Sequence, residues 1–284
     1  PPTPPAAAAP QPAAAAGTLQ APPLTIPGVD VAWWGLGLQL EGIMLAGPTL
    51  QVGFKCEFRG AQGRLGLYYG NLVQTPLTAM TATVSAGTAA GALGINAAEA
   101  PTMLQPRGNA LQMVHLEAAS AFAEPPTLTI SFADSSGQKH NLSLRLPVMP
   151  SRFVVPWQVG AEEYFRWWKT PRLFEAQSKF QFLPSTDTAA VRLNLSQKLH
   201  LAVLDGVDPS PNNLCAAGLL ATKAGAAPPA SGGTGCLIRL EVNPNFARGP
   251  GGAAVGAARL TVRTSNAALA ESLVRSVTAL CGGA

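Results

Sequence analysis

Short runs of alternating apolar and polar residues, separated by turn residues, fill the chain from residue 30 to about residue 150. In the run 50–58 every second residue is apolar, and a glycine-containing turn follows at 60–63. A period of two places alternate side chains on one face of a strand, and no segment of this region has the 3.6-residue period of a helix. Residues 29–150 are therefore predicted to form an immunoglobulin-like antiparallel β-sandwich. Further runs of this kind occupy residues 64–69, 112–117, 127–132 and 141–146.

The pattern changes after Pro147 and Pro150, and residues 151–284 are predicted to form a second, α+β domain. Apolar spacing predicts an amphipathic helix over residues 266–281, with Ser265 or Asn266 as its N-cap. Residues 191–203 alternate in two strand-like runs, and residues 224–234 and 244–257 are Gly-, Pro- and Ala-rich and are predicted to be loops. The remaining elements are predicted as a helix at 162–169, an ambiguous segment at 177–182, and strands at 235–242 and 258–264.

Residues 1–28 are rich in proline and alanine and contain no charged or aromatic residue. Such a segment cannot bury a core, so we expect a flexible linker that tethers the folded part of the chain. The whole chain is only 12% charged, with a net charge of +4 and no lysine or arginine block. This mild charge gives no indication of nucleic-acid binding by itself.

Catalytic, metal-binding and cofactor-binding motifs are absent from the sequence. The four cysteines are scattered without a CxxC pair or a histidine at ligand spacing, so we expect buried thiols in a reducing compartment. No serine lies in a GxSxG motif, the three histidines lie in strand-like runs, and no glycine-rich loop opens a helix after a strand. We therefore expect a protein that is not an enzyme and that binds neither metal nor cofactor. Residues 65–98 carry no charge, but polar and turn residues interrupt them too often for a membrane span.

An aromatic cluster, comprising Tyr164, Phe165, Trp167 and Trp168, holds four of the chain's eighteen aromatic residues. At about 100° per helical residue, these side chains cover roughly 160° of a helix surface. About 100° suffices to seat a helix on a core, so part of the aromatic surface is expected to face solvent or a partner.

Three arginines are predicted to face outward from two strands of the second domain. Arg239 and Glu241 alternate with core residues in one strand, and Arg259 and Arg263 do so in the next. If the strands are neighbours, they form an arginine-rich surface beside the aromatic cluster, and this surface suits short acidic and aromatic peptides. The alternative is that the arginines are ordinary solvated strand positions and that the aromatic residues all belong to the core.

Several segments of both domains resemble one known family. The segments are residues 51–59 (QVGFKCEFR), 207–213 (VDPSPNN), 235–241 (GCLIRLE) and 259–265 (RLTVRTS), and the likeness covers essentially everything after the linker. In these segments the chain resembles the C-terminal appendage, or ear, of the alpha-adaptins. The resemblance implies a β-sandwich subdomain followed by a platform subdomain, in which a twisted sheet carries flanking helices.

The resemblance also implies two peptide-binding sites. The platform site is expected to bind Asp-Pro-Phe, Asp-Pro-Trp and Phe-x-Asp-x-Phe motifs. The sandwich site is expected to bind Trp-x-x-Phe motifs. Tyr164 replaces a phenylalanine of the animal pattern and Trp167 replaces an arginine, while Tyr68 stands where a phenylalanine is typical. The implied platform residues are Tyr164, Phe165, Trp168, Arg239, Glu241, Arg259 and Arg263, and the implied sandwich residues are Gly53, Lys55, Tyr68 and Asn109.

The partners implied by the resemblance are endocytic accessory proteins that carry short linear motifs. The other subunits of the heterotetrameric adaptor are expected to contact a core that this chain lacks, clathrin to associate indirectly, and the membrane to be contacted only through the complex. The expected location is the cytoplasmic side of the plasma membrane, in clathrin-coated pits. No nucleic-acid partner is expected, although a nucleic-acid or anionic-lipid module is the alternative that the positive charge leaves open.

Overall fold

The first half of the chain is an antiparallel sandwich, as the alternation predicted. The computed structural model describes residues 31–182, 187–248 and 254–283, so the predicted linker 1–28 lies outside the described residues. One sheet has the strand order β1-β2-β3-β6-β5 and the other β4-β7-β8, with every pair antiparallel. Alternate side chains, such as Val52, Phe54, Leu65 and Leu67, are buried between the sheets. The strands are β1 (Glu41–Ala46), β2 (Leu50–Arg59), β3 (Gln62–Asn71), β4 (Thr78–Ser85), β5 (Leu93–Ala97), β6 (Asn109–Ala118), β7 (Thr127–Ala133) and β8 (Lys139–Arg145).

A short helix, α1 (Val31–Gly37), precedes the sandwich and was not predicted from the sequence. Seven residues, two of them glycine, are too few to show a helical period, so the helix depends on tertiary packing. Trp34 and Leu38 are buried, and the Arg275 guanidinium lies 5.9 Å from the centre of the Trp34 ring.

The second half is an α+β platform, which confirms the predicted class. Its sheet has the order β11-β12-β13-β14-β10-β15, and β9 pairs with β12. The last long helix packs on one face of this sheet, where Thr278 Oγ1 lies 3.3 Å from Ser178 Oγ, and the aromatic helix packs on the other. The elements are β9 (Val154–Pro156), α2 (Ala161–Trp168), β10 (Phe174–Phe182), α3 (Thr188–Leu193), β11 (Ala202–Leu204), β12 (Asn213–Leu220), β13 (Gly235–Arg248), β14 (Ala254–Thr264), α4 (Ala267–Cys281) and β15 (Gly282–Gly283).

Two sequence predictions in this half were wrong. Residues 191–198 are helical, because α3 continues into a π-helical turn over Asn194–Lys198. Val191, Leu195 and Leu199 are buried four residues apart, which is helical spacing that the superficial alternation conceals. Most of 244–257 is strand rather than loop, since β13 extends to Arg248 and β14 begins at Ala254.

The predicted start of the last helix is confirmed, because the Leu269 N–H donates to Asn266 Oδ1 at 3.1 Å. All four cysteines are buried and unpaired, as expected. Burial raises the pKa of the Cys236 thiol to about 12 and that of Cys281 to about 11, which makes both poor nucleophiles. No helix in the described part of the chain is long and apolar enough to cross a membrane.

One continuous hydrophobic core joins the two halves. Phe153, in the turn that follows β8, is fully buried, and its ring lies 5.3 Å from Phe58 of β2 and 6.3 Å from Phe122. Met149 and residues of α4 belong to the same core cluster. The predicted boundary at residues 150 and 151 therefore lies in a packed turn, and the division into two domains stays a prediction.

Arg152 holds this junction by hydrogen bonds to α1 and the loop after it. Its side chain is buried, Nε donates to the Gly37 carbonyl at 2.7 Å, and Nη2 donates to the Gln39 carbonyl. Burial lowers the pKa of the guanidinium, but an arginine remains charged in this setting. The positively charged guanidinium thus donates hydrogen bonds to carbonyls at and just after the C-terminal end of α1, where the helix dipole is negative.

We predict that Arg152→Met lowers the free energy of unfolding by about 2–4 kcal/mol, because two charge-assisted hydrogen bonds are lost and the buried Gly37 carbonyl is left without its guanidinium donor. Chemical denaturation of the whole chain measures the change. The matched control is Arg64→Met, because Arg64 forms an exposed pair with Glu57 at 2.9 Å, and this substitution should cost less than about 1 kcal/mol. Equal losses for the two variants would contradict the role of Arg152.

Candidate functional site

Helix α2 carries the aromatic cluster, and its ends are stabilised by charge. Glu162 and Glu163 occupy the first turn and Arg166 the last, which matches the helix dipole. At the C-terminal end, an Arg263 guanidinium N–H donates to the Trp168 carbonyl. A side chain of the sheet thus fixes the end of α2 over β14.

Tyr164 is fully buried, so the prediction that it lines an open surface is wrong. Its hydroxyl donates to the Ile238 carbonyl at 2.7 Å, and burial raises its pKa far above the ordinary value. Its ring stacks on Trp168, with centroids 5.6 Å apart and planes at 14°, and Phe165 meets it edge-on at 5.3 Å. Because Tyr164 lies at the centre of the aromatic arc, it faces the sheet and supports the two rings beside it.

The other three aromatic residues of α2 are partly buried. Phe165 and Trp168 flank Tyr164, and the Arg263 guanidinium lies 5.8 Å from the centre of the Trp168 ring. Trp167 packs in a small crevice with Trp157, Pro229 and Leu237. Its indole N–H has no hydrogen-bond partner among the described residues. Phe165 and Trp168 are therefore the rings that a ligand on the sheet side of α2 can contact.

The predicted arginine surface exists, because β13 and β14 are neighbours. We call it the α2 face of the sheet: Leu237, Arg239 and Glu241 on β13 with Arg263, Thr261 and Arg259 on β14. In this register Leu237 lies opposite Arg263, Arg239 opposite Thr261, and Glu241 opposite Arg259. Strand β10 adds a third column, with Glu175 opposite Arg263, Gln177 opposite Thr261 and Lys179 opposite Arg259.

The three arginines differ in how far they are already engaged. Arg263 is 18% exposed and lies 3.2 Å from Glu175 Oε2, besides holding the end of α2. Arg239 is 28% exposed and contacts Asp208 at 2.7 Å and Glu241 at 3.2 Å. Arg259 pairs with Glu241 and is 52% exposed. Arg259 is thus the arginine most open to a ligand, whereas Arg263 mainly positions Trp168.

Glu241 lies between two arginines and serves both. A hydrogen bond from Arg259 is the main cause that lowers the pKa of Glu241, and the charge of Arg239 lowers it further. The carboxylate therefore stays charged and holds both guanidinium groups in place.

Asp208 is a site residue that the sequence analysis assigned only to a turn. Its carboxylate is 2% exposed and accepts hydrogen bonds from the Ser210 N–H at 2.9 Å, Asn213 Nδ2 at 3.1 Å and Arg239 Nε at 2.7 Å. Burial would raise its pKa, but these hydrogen bonds and the charge of Arg239 outweigh that and lower it. The available signal was that an Asx turn occupies one carboxylate oxygen and leaves the other for a partner.

On the sandwich, three of the four predicted residues lie around one patch of the outer face of the five-stranded sheet. Gly53 is opposite Tyr68, and Lys55 is opposite Gly66. Lys55 and Tyr68 line a cavity of about 260 Å³ together with Gly66 and Met113. Asn109 lies further along, opposite Gly70, and does not line this cavity.

Sequence reasoning predicted Tyr68 but missed Ile43 and Leu111, the two other apolar side chains of this patch. Ile43, Tyr68 and Leu111 are large exposed apolar side chains, and they lie in one row across β1, β2, β3 and β6, since Ile43 pairs with Gly53 and Tyr68 with Leu111. A row of exposed apolar side chains on a sheet face is typical of an interaction surface.

The histidines do not form a catalytic arrangement among the described residues. His140 Nε2 lies 2.8 Å from Asp134 Oδ2 and its ring stacks on Phe132, so it is held structurally. His115 is exposed on the sandwich, and burial lowers the pKa of His200. Within the described ranges no group of three potential ligands could hold a metal ion.

Comparison with known proteins gives two family matches. Residues 152–280 match the model described as "Alpha adaptin AP2, C-terminal domain", and residues 40–147 match the "Adaptin C-terminal domain". Together these matches cover both halves of the described fold.

Similar proteins include adaptor subunits from several organisms. The AP-2 complex subunit alpha-2 of Dictyostelium discoideum is 31% identical over 84% of this chain and 22% of its own length. The AP-2 complex subunit alpha-1 of Arabidopsis thaliana is 27% identical over 74% of this chain and 20% of its own length. The chain thus spans about a fifth of these relatives. Among solved structures, the GAE domain of GGA2p from Saccharomyces cerevisiae covers 38% of this chain and 97% of its own, with 14% identity and a TM-score of 0.32.

Proposed function

Because the chain belongs to the family of alpha-adaptin C-terminal appendage domains, we propose that it serves as the interaction module of an AP-2 adaptor alpha subunit. Adaptin appendages are noncatalytic, so the function is binding. The proposed ligands are short Asp-Pro-Phe, Asp-Pro-Trp and Phe-x-Asp-x-Phe motifs in endocytic accessory proteins. The observation that carries the proposal is the pairing of two partly exposed rings, Phe165 and Trp168, with the α2 face of the sheet.

The geometry suits an aromatic and acidic motif in two ways. Trp168 is fixed from below by Tyr164 and at its carbonyl by Arg263, so a ligand ring meets a preorganised surface. Arg239 and Arg259 stand within the same sheet face and present guanidinium groups to the carboxylates of an acidic peptide. Fixed rings reduce the entropy that binding costs, which matters for a motif of few residues.

We expect such a site to bind each single motif weakly. The overall affinity rises when one accessory protein carries several motifs. Accessory proteins that repeat a motif, together with several adaptors at one membrane, raise the effective concentration of the second contact after the first. We accordingly place the module at the cytoplasmic side of the plasma membrane, in clathrin-coated pits. The other adaptor subunits, and through them clathrin and the membrane, are partners of the remaining part of such a protein.

A nucleic-acid or anionic-lipid function is less well supported by the same face. Arg239, Arg259 and Arg263 are all paired with carboxylates, so much of their charge is compensated. Binding to a phosphate-rich polymer depends on uncompensated cations and weakens steeply with salt.

We predict that Asp208→Asn lowers the free energy of unfolding by about 1–3 kcal/mol at neutral pH, because Arg239 loses its buried charged partner. Since the folded pKa of Asp208 is lowered, its contribution is present above the ordinary value of 3.8 and is lost as the pH falls below it. The difference between variant and parent should therefore shrink in acid. The control is Asp205→Asn, whose side chain is 78% exposed; an equal loss there would contradict the assignment.

We predict that Trp168→Ala weakens binding of an Asp-Pro-Phe peptide at least tenfold, because an anchor ring at the centre of a small site is worth about 2 kcal/mol or more. Isothermal titration calorimetry measures the affinity, and circular dichroism verifies the fold. Phe174→Ala is the control, since Phe174 is an exposed aromatic residue of the same domain outside α2. Unchanged affinity in a folded Trp168→Ala protein would refute the platform site.

A second site on the sandwich is proposed for Trp-x-x-Phe motifs. Gly66 and Tyr68 line its cavity with Lys55, and Gly53 lies opposite Tyr68 on the neighbouring strand. Leu111 and Ile43 extend the apolar surface on either side.

We predict that Tyr68→Ala weakens a Trp-x-x-Phe peptide by about tenfold and leaves Asp-Pro-Phe binding unchanged, since the two sites lie on different sheets. Trp168→Ala should show the opposite pattern in the same calorimetric titrations. Loss of both peptides in either variant, despite an intact fold, would indicate one shared site and contradict this assignment.

A further inference from the structure

Lys179 is an uncompensated cation on the α2 face. It extends from β10 on the same side as Glu175, whose carboxylate reaches Arg263, and it lies directly opposite Arg259. Its side chain is exposed, and it has no ion-pair partner within the described part of the chain. The only carboxylate in its row is Glu241, which is engaged by Arg239 and Arg259.

This row, Glu241, Arg259 and Lys179, carries an excess of positive charge. Side chains directly opposite on neighbouring strands stand about 4.5–5.5 Å apart at Cβ, and like charges there repel. A second carboxylate placed between Arg259 and Lys179 relieves that repulsion and finds two donors. We define Arg259 and Lys179 as the cation pair.

The cation pair lies a fixed distance from the aromatic anchor. Trp168 contacts Arg263, and Arg259 precedes Arg263 by four residues on β14. At about 3.3 Å per residue, four strand residues span about 13 Å, and an extended peptide covers the same distance in about four residues. An acidic residue two positions from the anchor ring, as in Asp-Pro-Phe, extends only about 7 Å, which matches the row of Arg239 and leaves Arg259 and Lys179 for a second carboxylate.

We propose that the cation pair is a subsite for a second acidic residue, located three or four positions from the aromatic anchor of the bound peptide. Resting on the proposed peptide-binding function, this inference adds a specificity rule to it: Lys179, which is not among the platform residues that the resemblance implies, selects peptides with a carboxylate at that spacing. The partner is therefore an extended acidic segment around an aromatic residue.

The test is a glutamate scan. A peptide with an Asp-Pro-Phe core and otherwise neutral residues carries one glutamate, placed three to six positions before the phenylalanine or two to six positions after it, with glutamine peptides as references. We expect affinity to rise about two- to fivefold at three or four positions on one side, as for an exposed ion pair, and the gain to fall in high salt. Lys179→Gln should remove the gain and leave the reference peptides unchanged.

A charge exchange separates a direct contact from a structural effect. Lys179→Glu should shift the preference at the same position from glutamate to lysine. The control Lys139→Gln removes an exposed lysine of the sandwich and should leave the scan unchanged.

The outcomes distinguish the two proposals. If the reference peptides bind and depend on Trp168 but the scan is flat, or if its maximum persists in Lys179→Gln, the subsite is overturned and the platform site stands. If the reference peptides do not bind at all, the proposed function itself fails.

Discussion

The hydrogen bond from the Tyr164 hydroxyl to the Ile238 carbonyl fixes helix α2 on the sheet, and the candidate site depends on it. Ile238 belongs to the strand that also carries Arg239 and Glu241, so the bond ties the aromatic residues to the charged ones. A buried tyrosine hydroxyl without a partner would be costly, which makes one position of the helix strongly preferred. Trp168 and Phe165 take their places from this residue, because both rings contact the Tyr164 ring.

The arginines obey a similar constraint. Each of the three is held by a carboxylate, and each carboxylate comes from a different part of the domain: Asp208 from a turn, Glu241 from β13 and Glu175 from β10. This pairing lowers the net charge of the surface and fixes the direction of the guanidinium groups. The result is a surface that favours a specific short peptide over a general polyanion, with Arg259 and Lys179 as its most open cations.

Much of the fold could be read from the sequence, because alternation and helical spacing follow burial directly. The sandwich and helices α2 and α4 were predicted, whereas the adjacency of β13 and β14 entered only as a condition for the arginine surface. Where prediction failed, tertiary contacts overrode local pattern: α1 is stabilised by packing of Trp34 and Leu38, and the α3 region hides its four-residue period beneath alternating residues.

The site was predicted less completely, because the role of a helix residue depends on the direction in which its side chain faces. Tyr164 lies in the middle of an aromatic arc, and only the position of the sheet shows that this middle is buried. Asp208 and Glu175 gain their roles from strands far away in sequence, and no local signal specifies such partners. Lys179 becomes notable only through its register with Arg259.

The central claim is that an acidic, aromatic peptide lies between α2 and the β13–β14 face. Chemical-shift mapping by NMR, with an Asp-Pro-Phe peptide titrated into the labelled protein, tests it directly. The account predicts that the largest shifts fall on the Trp168 indole N–H and on backbone amides near Phe165 and Arg239. Shifts confined to other surfaces, or none at saturating peptide, would contradict it.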